Sequence, residues 1–179
     1  MKRNVKKLAV SAMLFAIGLV LPFLTGQIKE LGNMLLPMHL PVLLCGLLCG
    51  WKHGLAVGFL LPLTRSILFS MPRLYPNAVA MAFELAVYGL TVGLFYWKSN
   101  HSISAVYRAL ICAMLCGRVV WGLVESVLLG FGTFTWQLFL AGAFLNGIPG
   151  IVLQLVLIPI LMEALLRAKL FSRDEGDLR

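Results

Sequence analysis

The feature that most constrains the fold is the run from Asn77 to Trp97, which is apolar almost throughout and is interrupted by one acid, Glu84. An apolar run of about 20 residues is long enough to cross a bilayer as an α-helix. A carboxylate several turns inside such a helix is costly, and it is tolerated where it faces protein, water or a ligand. Glu84 is therefore predicted to be a site residue.

Three other residues share the helical face of Glu84. The series Asn77, Met81, Glu84 and Tyr88 advances by four, three and four residues, which places all four on one stripe of a helix. The polar members of this stripe can all form hydrogen bonds. The spacing predicts that the stripe is the functional face of the helix, with Tyr88 and Asn77 as further site residues.

Apolar runs recur along the whole chain, which predicts an all-α integral membrane protein. Of the 179 residues, 60% are hydrophobic and 12% are charged, whereas soluble domains are about half apolar and about a quarter charged. Because no polar insert is long enough to bury its own core, residues 1–179 are predicted to form a single membrane domain with a polar cytoplasmic tail at 170–179. Six transmembrane helices are predicted at about 8–24, 37–51, 54–71, 77–97, 105–130 and 136–168.

The basic residues predict the orientation of these spans. An even number of spans puts both termini on one side of the membrane, and the loops on the other side contain only Lys29 and Arg73. The terminal side contains Lys2, Arg3, Lys6, Lys7, Lys52, Lys98, Arg108, Arg167, Lys169, Arg173 and Arg179. By the positive-inside rule, both termini are predicted to be cytoplasmic. The net charge of +8 lies at the ends of spans and not on a stripe with interleaved aromatics, so nucleic acid is not a predicted partner.

Small residues recur at a spacing of four inside the predicted spans, which indicates close helix packing. The glycine pairs are Gly46 with Gly50, Gly54 with Gly58, and Gly89 with Gly93. Two cysteine pairs have the same spacing: Cys45 with Cys49, and Cys112 with Cys116. Four thiolates are also a possible metal site, but membrane helix interfaces favour small packing residues, so no metal is predicted.

Polar residues inside the spans predict a cavity in the outer half of the membrane. At 1.5 Å per residue, they lie roughly 8 to 15 Å below the outer ends of their helices, with Arg118 deeper. On the face of Arg118, by spacing, lie Trp121 and Glu125. The predicted lining, with Tyr88 beside it, is Glu84, Arg65, Arg118, Glu125, Trp121 and Asn146.

Two interpretations of these polar residues stay open. In one, the arginines and glutamates only neutralise one another as ion pairs that lock the bundle. In the other, they line a pocket for a small, flat, polar solute. Two arginines and two glutamates sum to zero charge, which favours a neutral or zwitterionic ligand, although a single ligand carboxylate could bind Arg65 or Arg118 through two hydrogen bonds.

Residues at the predicted outer entrance have two interpretations as well. His39, between Pro37 and Pro41, is expected either to contact the ligand or to cap the short second helix. Asn77, near Arg73 and Tyr75, is expected either to close over a bound solute or to anchor the loop at the membrane surface.

Enzyme chemistry is not predicted. The chain has no zinc-helix pair of His and Glu, no Gly-x-Ser-x-Gly and no phosphate-binding glycine loop. The histidines, His39, His53 and His101, fall on different sides of the membrane by the predicted topology. No cofactor is therefore predicted in this chain.

A series of motifs runs in order through most of the chain: Leu36-Pro-Met-His-Leu-Pro-Val-Leu-Leu-Cys-Gly46, Gly50, Gly54, Gly58, Pro62-Leu-Thr-Arg65, Pro76, Met81-Ala-Phe-Glu-Leu-Ala-Val-Tyr-Gly89 and Asn146-Gly-Ile-Pro149. Their order, together with six predicted spans and the chain length, resembles the substrate-binding S components of energy-coupling factor (ECF) vitamin transporters. The resemblance implies a six-helix S-component fold in a prokaryotic plasma membrane, with an outward pocket capped by outer loops.

The resemblance also implies partners and a mechanism. Ala12-x-x-x-Ala16, with Ala9 one turn earlier, is similar to the small-residue motif by which S components dock onto a membrane-embedded coupling subunit. Two partner ATPase subunits would use the ATP, and the S component would topple in the bilayer to deliver its ligand. The central motif is most similar to carriers of the pyridoxine, hydroxymethylpyrimidine and pantothenate class. The competing function is a structural or assembly membrane protein.

Overall fold

A computed structural model describes residues 2–25, 34–130, 135–145 and 147–168. Within these ranges all regular secondary structure is helical, which confirms the all-α prediction for them. The predicted site residue Asn146, the tail at 170–179 and Lys29 lie outside the described residues. The helices are α1 (Lys2–Val20), α2 (His39–Cys49), α3 (Trp51–Phe69), α4 (Val79–Trp97), α5 (Ile103–Leu129), α6 (Trp136–Leu140) and α7 (Ile148–Arg167).

Four helical segments are long and apolar enough to cross a membrane, judged by length and composition: Asn4–Phe23, Leu74–Trp97, Ile103–Leu129 and Ile148–Arg167. They correspond to α1, to α4 with its preceding turn, to α5 and to α7. The other two long apolar elements differ from these four. α2 is shorter, at 11 residues, and the 19-residue α3 carries Lys52, His53 and Arg65 among its apolar side chains.

The structure divides the last predicted span, 136–168, into separate pieces. α6 has five residues, and Ala141–Leu145 forms a wide helical turn. The long helix α7 begins only at Ile148, with Pro149 in its first turn. Proline is well placed there, because the N–H groups of a first helical turn have no partner within the helix. This break shortens the last long helix to a length that suits one bilayer crossing.

The core of the described bundle lies around α2 and α4. Every residue of α2 is buried, which agrees with its lack of a polar face. α4 packs against α2, α3 and α5, while α7 packs against α2 and α5. The three neighbours of α4 place its inward face, which carries Glu84 and Tyr88, in the middle of the bundle.

Glycines allow the backbones of α2, α3 and α4 to touch. A Cβ built on Gly46 or on Gly54 would lie 2.6 Å from the Gly89 carbonyl oxygen, and a Cβ on Gly93 would lie 2.6 Å from the Trp51 Cα. Gly58 faces the Leu85 carbonyl at equally close range. The predicted close approach therefore occurs at five of the six glycines, the exception being Gly50, which has φ +96° in the α2–α3 turn and has only the Trp97 indole nitrogen nearby.

The end of the bundle that holds the N-terminus is closed by a separate set of contacts. Lys7 Nζ lies 5.2 Å from the centre of the Trp97 ring, and the Trp97 indole N–H donates to the Gly46 carbonyl at 3.2 Å. Cys45 contacts the Ser11 hydroxyl at 3.5 Å. Cys45 and Cys49 thus pack inside the core, and the described residues contain no group of three or more metal-binding side chains.

We expect Gly54→Leu to prevent stable packing of α3 on α4. The new side chain would enter space held by the Gly89 backbone, and overpacking of this kind costs about 1–3 kcal/mol or more. Thermal unfolding in detergent, followed by size-exclusion chromatography, measures the loss. Ala56→Leu is the matched control, because Ala56 is exposed on the same helix. Equal melting temperatures for the two variants would contradict the close packing.

Candidate functional site

Glu84 and Arg118 form an ion pair in the interior of the bundle. Arg118 Nη1 on α5 lies 3.1 Å from Glu84 Oε1 on α4, and the two residues are 4% and 2% exposed. α5 comes close to α4 here because Gly117, beside Arg118, has no side chain, and a Cβ built on it would lie 2.8 Å from the Tyr88 ring. Two predicted site residues from different helices therefore meet directly.

His39 and Tyr88 complete this group, which we call the inner cluster (His39, Glu84, Tyr88 and Arg118). His39 Nε2, on the first turn of α2, lies 3.5 Å from Glu84 Oε1. Its ring meets the Tyr88 ring edge to face, with centroids 5.1 Å apart, and both residues are 1% exposed. The His39 side chain points into the interior, so of its two interpretations the structure favours contact with the site over capping of α2.

The inner cluster is short of hydrogen bonds. Buried polar groups in folded proteins almost always have partners, and each exception is worth explaining. Glu84 Oε1 has two close nitrogen neighbours, Arg118 Nη1 and His39 Nε2, yet neither contact has hydrogen-bond geometry. Within the described part of the chain, the buried side-chain atoms without a hydrogen-bond partner are His39 Nδ1 and Nε2, Glu84 Oε1, His101 Nε2, Arg118 Nε and Nη2, Glu125 Oε2 and Gln154 Nε2.

Glu125 lies on the same face of α5 as Arg118, seven residues further along. It is buried, and its Oε2 has no hydrogen-bond partner within the described residues. No ion pair of Glu125 with a basic residue occurs within the described ranges. Glu125 is thus a buried acid without a partner of opposite charge.

Trp121, three residues after Arg118 on α5, is part of an aromatic stack. Its ring stacks on Phe139 with centroids 6.4 Å apart, and Phe139 stacks on Trp136 at 5.2 Å. Gly142 leaves room for this stack, since a Cβ there would lie 2.6 Å from Trp121 Cη2. The predicted site residue Trp121 on α5 is therefore packed against α6 by aromatic stacking.

Arg65 does not join the inner cluster. Its guanidinium donates to the Leu19 carbonyl and lies 5.0 Å and 5.4 Å from the ring centres of Phe23 and Phe69. These contacts tie the end of α1 to the end of α3. Arg65 has no acidic partner in the described part of the structure, so the predicted mutual neutralisation of two arginines and two glutamates is seen only for Arg118 with Glu84.

The outer-loop residues are exposed. Asn77 and Arg73 have exposed side chains, and Tyr75 is 61% exposed while its hydroxyl donates to the Leu128 carbonyl near the end of α5. The loop before α4 is thereby attached to α5. The structure separates Asn77 from the buried members of its predicted stripe.

The predicted docking residues are also exposed. Ala9, Ala12 and Ala16 all lie on the outer surface of α1, next to exposed apolar side chains such as Met13 and Ile17. These residues are exposed in the described bundle. They are accessible to a partner or to lipid.

Sequence reasoning missed two features of this region. Gln154 on α7 is 1% exposed, and its Nε2 lacks a hydrogen-bond partner among the described residues. Phe139 was not singled out, because one aromatic residue in an apolar segment carries no signal of stacking. In the sequence, the signal for a buried Gln154 is that it is an amide within an apolar run.

Comparison with known proteins identifies the family. Residues 6–162 match the family model described as ECF transporter, substrate-specific component. This match confirms the resemblance found in the motifs, and it covers all four residues of the inner cluster. Searches of curated proteins and of solved structures give no match. The chain belongs to the family of substrate-specific components of ECF transporters, which are substrate-binding subunits of membrane transporters.

Proposed function

We propose that this protein captures a small water-soluble vitamin or vitamin precursor from outside the cell and binds it at the inner cluster. The observation that carries the proposal is the meeting of buried polar side chains from α2, α4 and α5 with atoms that have no hydrogen-bond partner. An intramembrane ionisable residue marks a substrate site by default. A polar ligand between these helices would supply the missing partners.

The alternative is a structural or assembly protein whose buried ion pair only locks the bundle. A buried ion pair stabilises a bundle when its charged groups are fully hydrogen-bonded, because each buried unsatisfied polar group costs about 1–3 kcal/mol of folding stability. Arg118 Nε and Nη2 and both ring nitrogens of His39 have no hydrogen-bond partner within the described residues. This incomplete bonding favours a ligand site.

The membrane arrangement that fits this function has six spans: α1, α2, α3, α4, α5 and α7. Four of them are supported by length and apolar composition, and α2 is shorter but buried throughout. Six spans put both termini on the cytoplasmic side, in agreement with the basic residues at that end. The whole chain then acts as one membrane domain with a cytoplasmic tail at 170–179.

Delivery of the ligand requires partners. Family membership implies association with an ECF module, which we take to be a membrane-embedded coupling subunit with two ATPase subunits. The exposed alanines of α1, Ala9, Ala12 and Ala16, are the proposed docking face, because small side chains let two helices approach closely. Toppling of the S component in the bilayer would then present the inner cluster to the cytoplasm.

The substrate class proposed is that of pyridoxine, hydroxymethylpyrimidine and pantothenate. Trp121 and Tyr88 offer aromatic surface, while Glu84, Arg118 and His39 offer charge and hydrogen bonds to a small polar molecule. Sites of this kind combine apolar area with a few fixed polar groups. The chain itself is proposed to hold no metal or cofactor and to carry out no chemistry.

We expect purified protein to show a saturable change in tryptophan fluorescence with one of these three compounds. Glu84→Gln should weaken that binding at least tenfold, which is about 1.4 kcal/mol, because Arg118 loses its counter-ion. Glu163→Gln is the matched control, since Glu163 pairs with Arg167 at the far end of α7. Folded wild-type protein that binds none of the three, with Glu84→Gln lowering only the melting temperature, would establish the structural alternative.

Docking is tested separately from binding. We expect Ala16→Trp to abolish vitamin uptake in cells that contain the complete transporter while the purified variant binds its ligand normally, because a bulky side chain would hold the helices apart. Ala56→Trp, at an exposed position on α3, is the control and should leave uptake unchanged. Normal uptake by Ala16→Trp would show that this face of α1 is not the docking surface.

A further inference from the structure

Helix α1 has one face on the bundle and one face outside it. The inner face repeats at steps of three or four residues and consists of Lys7, Ser11, Leu14 and Gly18. Ser11 contacts Cys45 of α2, and a Cβ built on Gly18 would lie 2.6 Å from the Leu61 side chain of α3. The opposite face carries the exposed residues of the proposed docking surface, Ala9, Ala12 and Ala16. The direction in which these alanines point is therefore set by the way α1 packs on α2 and α3.

The C-terminal end of α1 is held on α3 by a group that we call the α1–α3 clamp (Leu19, Phe23, Arg65 and Phe69). Arg65 of α3 is 3% exposed, and its guanidinium donates to the Leu19 carbonyl. The guanidinium carbon lies 5.0 Å from the centre of the Phe23 ring and 5.4 Å from that of the Phe69 ring. The two rings meet edge to face, with centroids 4.9 Å apart. One cation thus joins the two helices through a hydrogen bond and two aromatic contacts.

The local sequence explains why Leu19 accepts this hydrogen bond. α1 ends at Val20, and the carbonyls of a last helical turn have no donors within the helix. A 3-10 turn follows at Leu21–Thr25, but the residue three positions after Leu19 is Pro22, which has no N–H. A positive charge is also favourable at the C-terminal end of a helix, because of the helix dipole. Arg65 therefore supplies both a donor and a positive charge at the end of α1.

Arg65 differs from the inner cluster in its surroundings. Its guanidinium contacts groups of α1 and α3, and none of the buried side-chain atoms without a hydrogen-bond partner in the described ranges belongs to it. In the inner cluster, such atoms occur on His39, Glu84 and Arg118. The contacts of Arg65 are those of a residue that holds a helix in place.

From these contacts we infer that Arg65 is a positioning residue for docking, which holds α1 at the angle at which its alanine face meets the coupling subunit. This inference rests on the docking part of the proposed function. Ala16 precedes Leu19 by about 4.5 Å along the axis of α1, at 1.5 Å per residue. Close approach through small side chains depends on the angle between two helices, so a tilt of α1 at the clamp moves Ala16 away from its partner. Arg65 thus acts on transport through α1 and without touching the ligand.

The test compares binding of the ECF module with binding of the vitamin. We expect Arg65→Gln to lower the affinity of the purified protein for the purified module about tenfold, as for loss of a hydrogen bond from a charged group. Its tryptophan fluorescence response to pyridoxine, hydroxymethylpyrimidine and pantothenate should match that of the wild type. Arg65→Lys, which keeps the charge and a donor for Leu19, should restore most of the affinity for the module.

Two further variants support this comparison. Arg108→Gln is the matched control, because Arg108 is an exposed arginine of α5 that donates to Ser99, and it should change neither kind of binding. Phe23→Leu removes one ring from the clamp at a position that is 37% exposed, and it should weaken module binding as Arg65→Gln does. The melting temperature of each variant in detergent shows whether it is folded. Failure of both Arg65→Gln and Phe23→Leu to fold would show that the clamp serves the fold, which would overturn the inference.

Other outcomes separate the inference from the proposed function. Loss of module binding in Ala16→Trp but not in folded Arg65→Gln would overturn the inference and leave the proposed docking face intact, whereas normal module binding in both variants would overturn both. Weaker vitamin binding by folded Arg65→Gln would also overturn the inference, because it would place Arg65 in the ligand site. If folded wild-type protein binds none of the three compounds, the proposed substrate class is wrong, while a tenfold loss of module binding in Arg65→Gln still supports the role of Arg65.

Discussion

The ion pair between Glu84 and Arg118 is the interaction on which the interior of this molecule depends. Moving two charges out of water costs several kcal/mol per ion, and mutual attraction offsets this only when the other atoms of both groups are also satisfied. Here the pair joins α4 to α5 at 3.1 Å, but Arg118 Nε and Nη2 stay unsatisfied in the described structure. The pair is thus incompletely hydrogen-bonded within the described residues.

The helices that present the pair are held in different ways. α2, α3 and α4 touch through backbone at glycines such as Gly54 and Gly89, and contacts of this kind leave little freedom for adjustment. Glu84, Tyr88 and His39 therefore stand on a closely packed frame. Arg118 and Glu125 lie on α5, whose C-terminal end is attached to the loop before α4 by Tyr75. The two sides of the proposed site come from these two groups of helices.

Most of the fold was predictable from the sequence, because apolar length and small-residue spacing are local signals. The stripe through Glu84 and Tyr88 was predicted from spacing alone, and both residues are buried together. Asn77, at the start of the same predicted stripe, lies before the regular helix and is exposed. Arg65 was misplaced for another reason: its depth in the helix resembles that of Glu84, and depth does not show which neighbour a side chain faces.

Family membership and substrate choice depend on different residues. The match over residues 6–162 includes the glycines and prolines that shape the bundle, and a chain can keep these while its polar interior changes. Substrate choice depends on the polar interior. Arg118 and Glu125 have buried atoms without a hydrogen-bond partner in the described residues, and such atoms restrict which ligand atoms can be buried beside them. Glu125 Oε2 lies in the same interior without a hydrogen-bond partner among the described residues, so Arg118 is not the sole source of this chemical restriction.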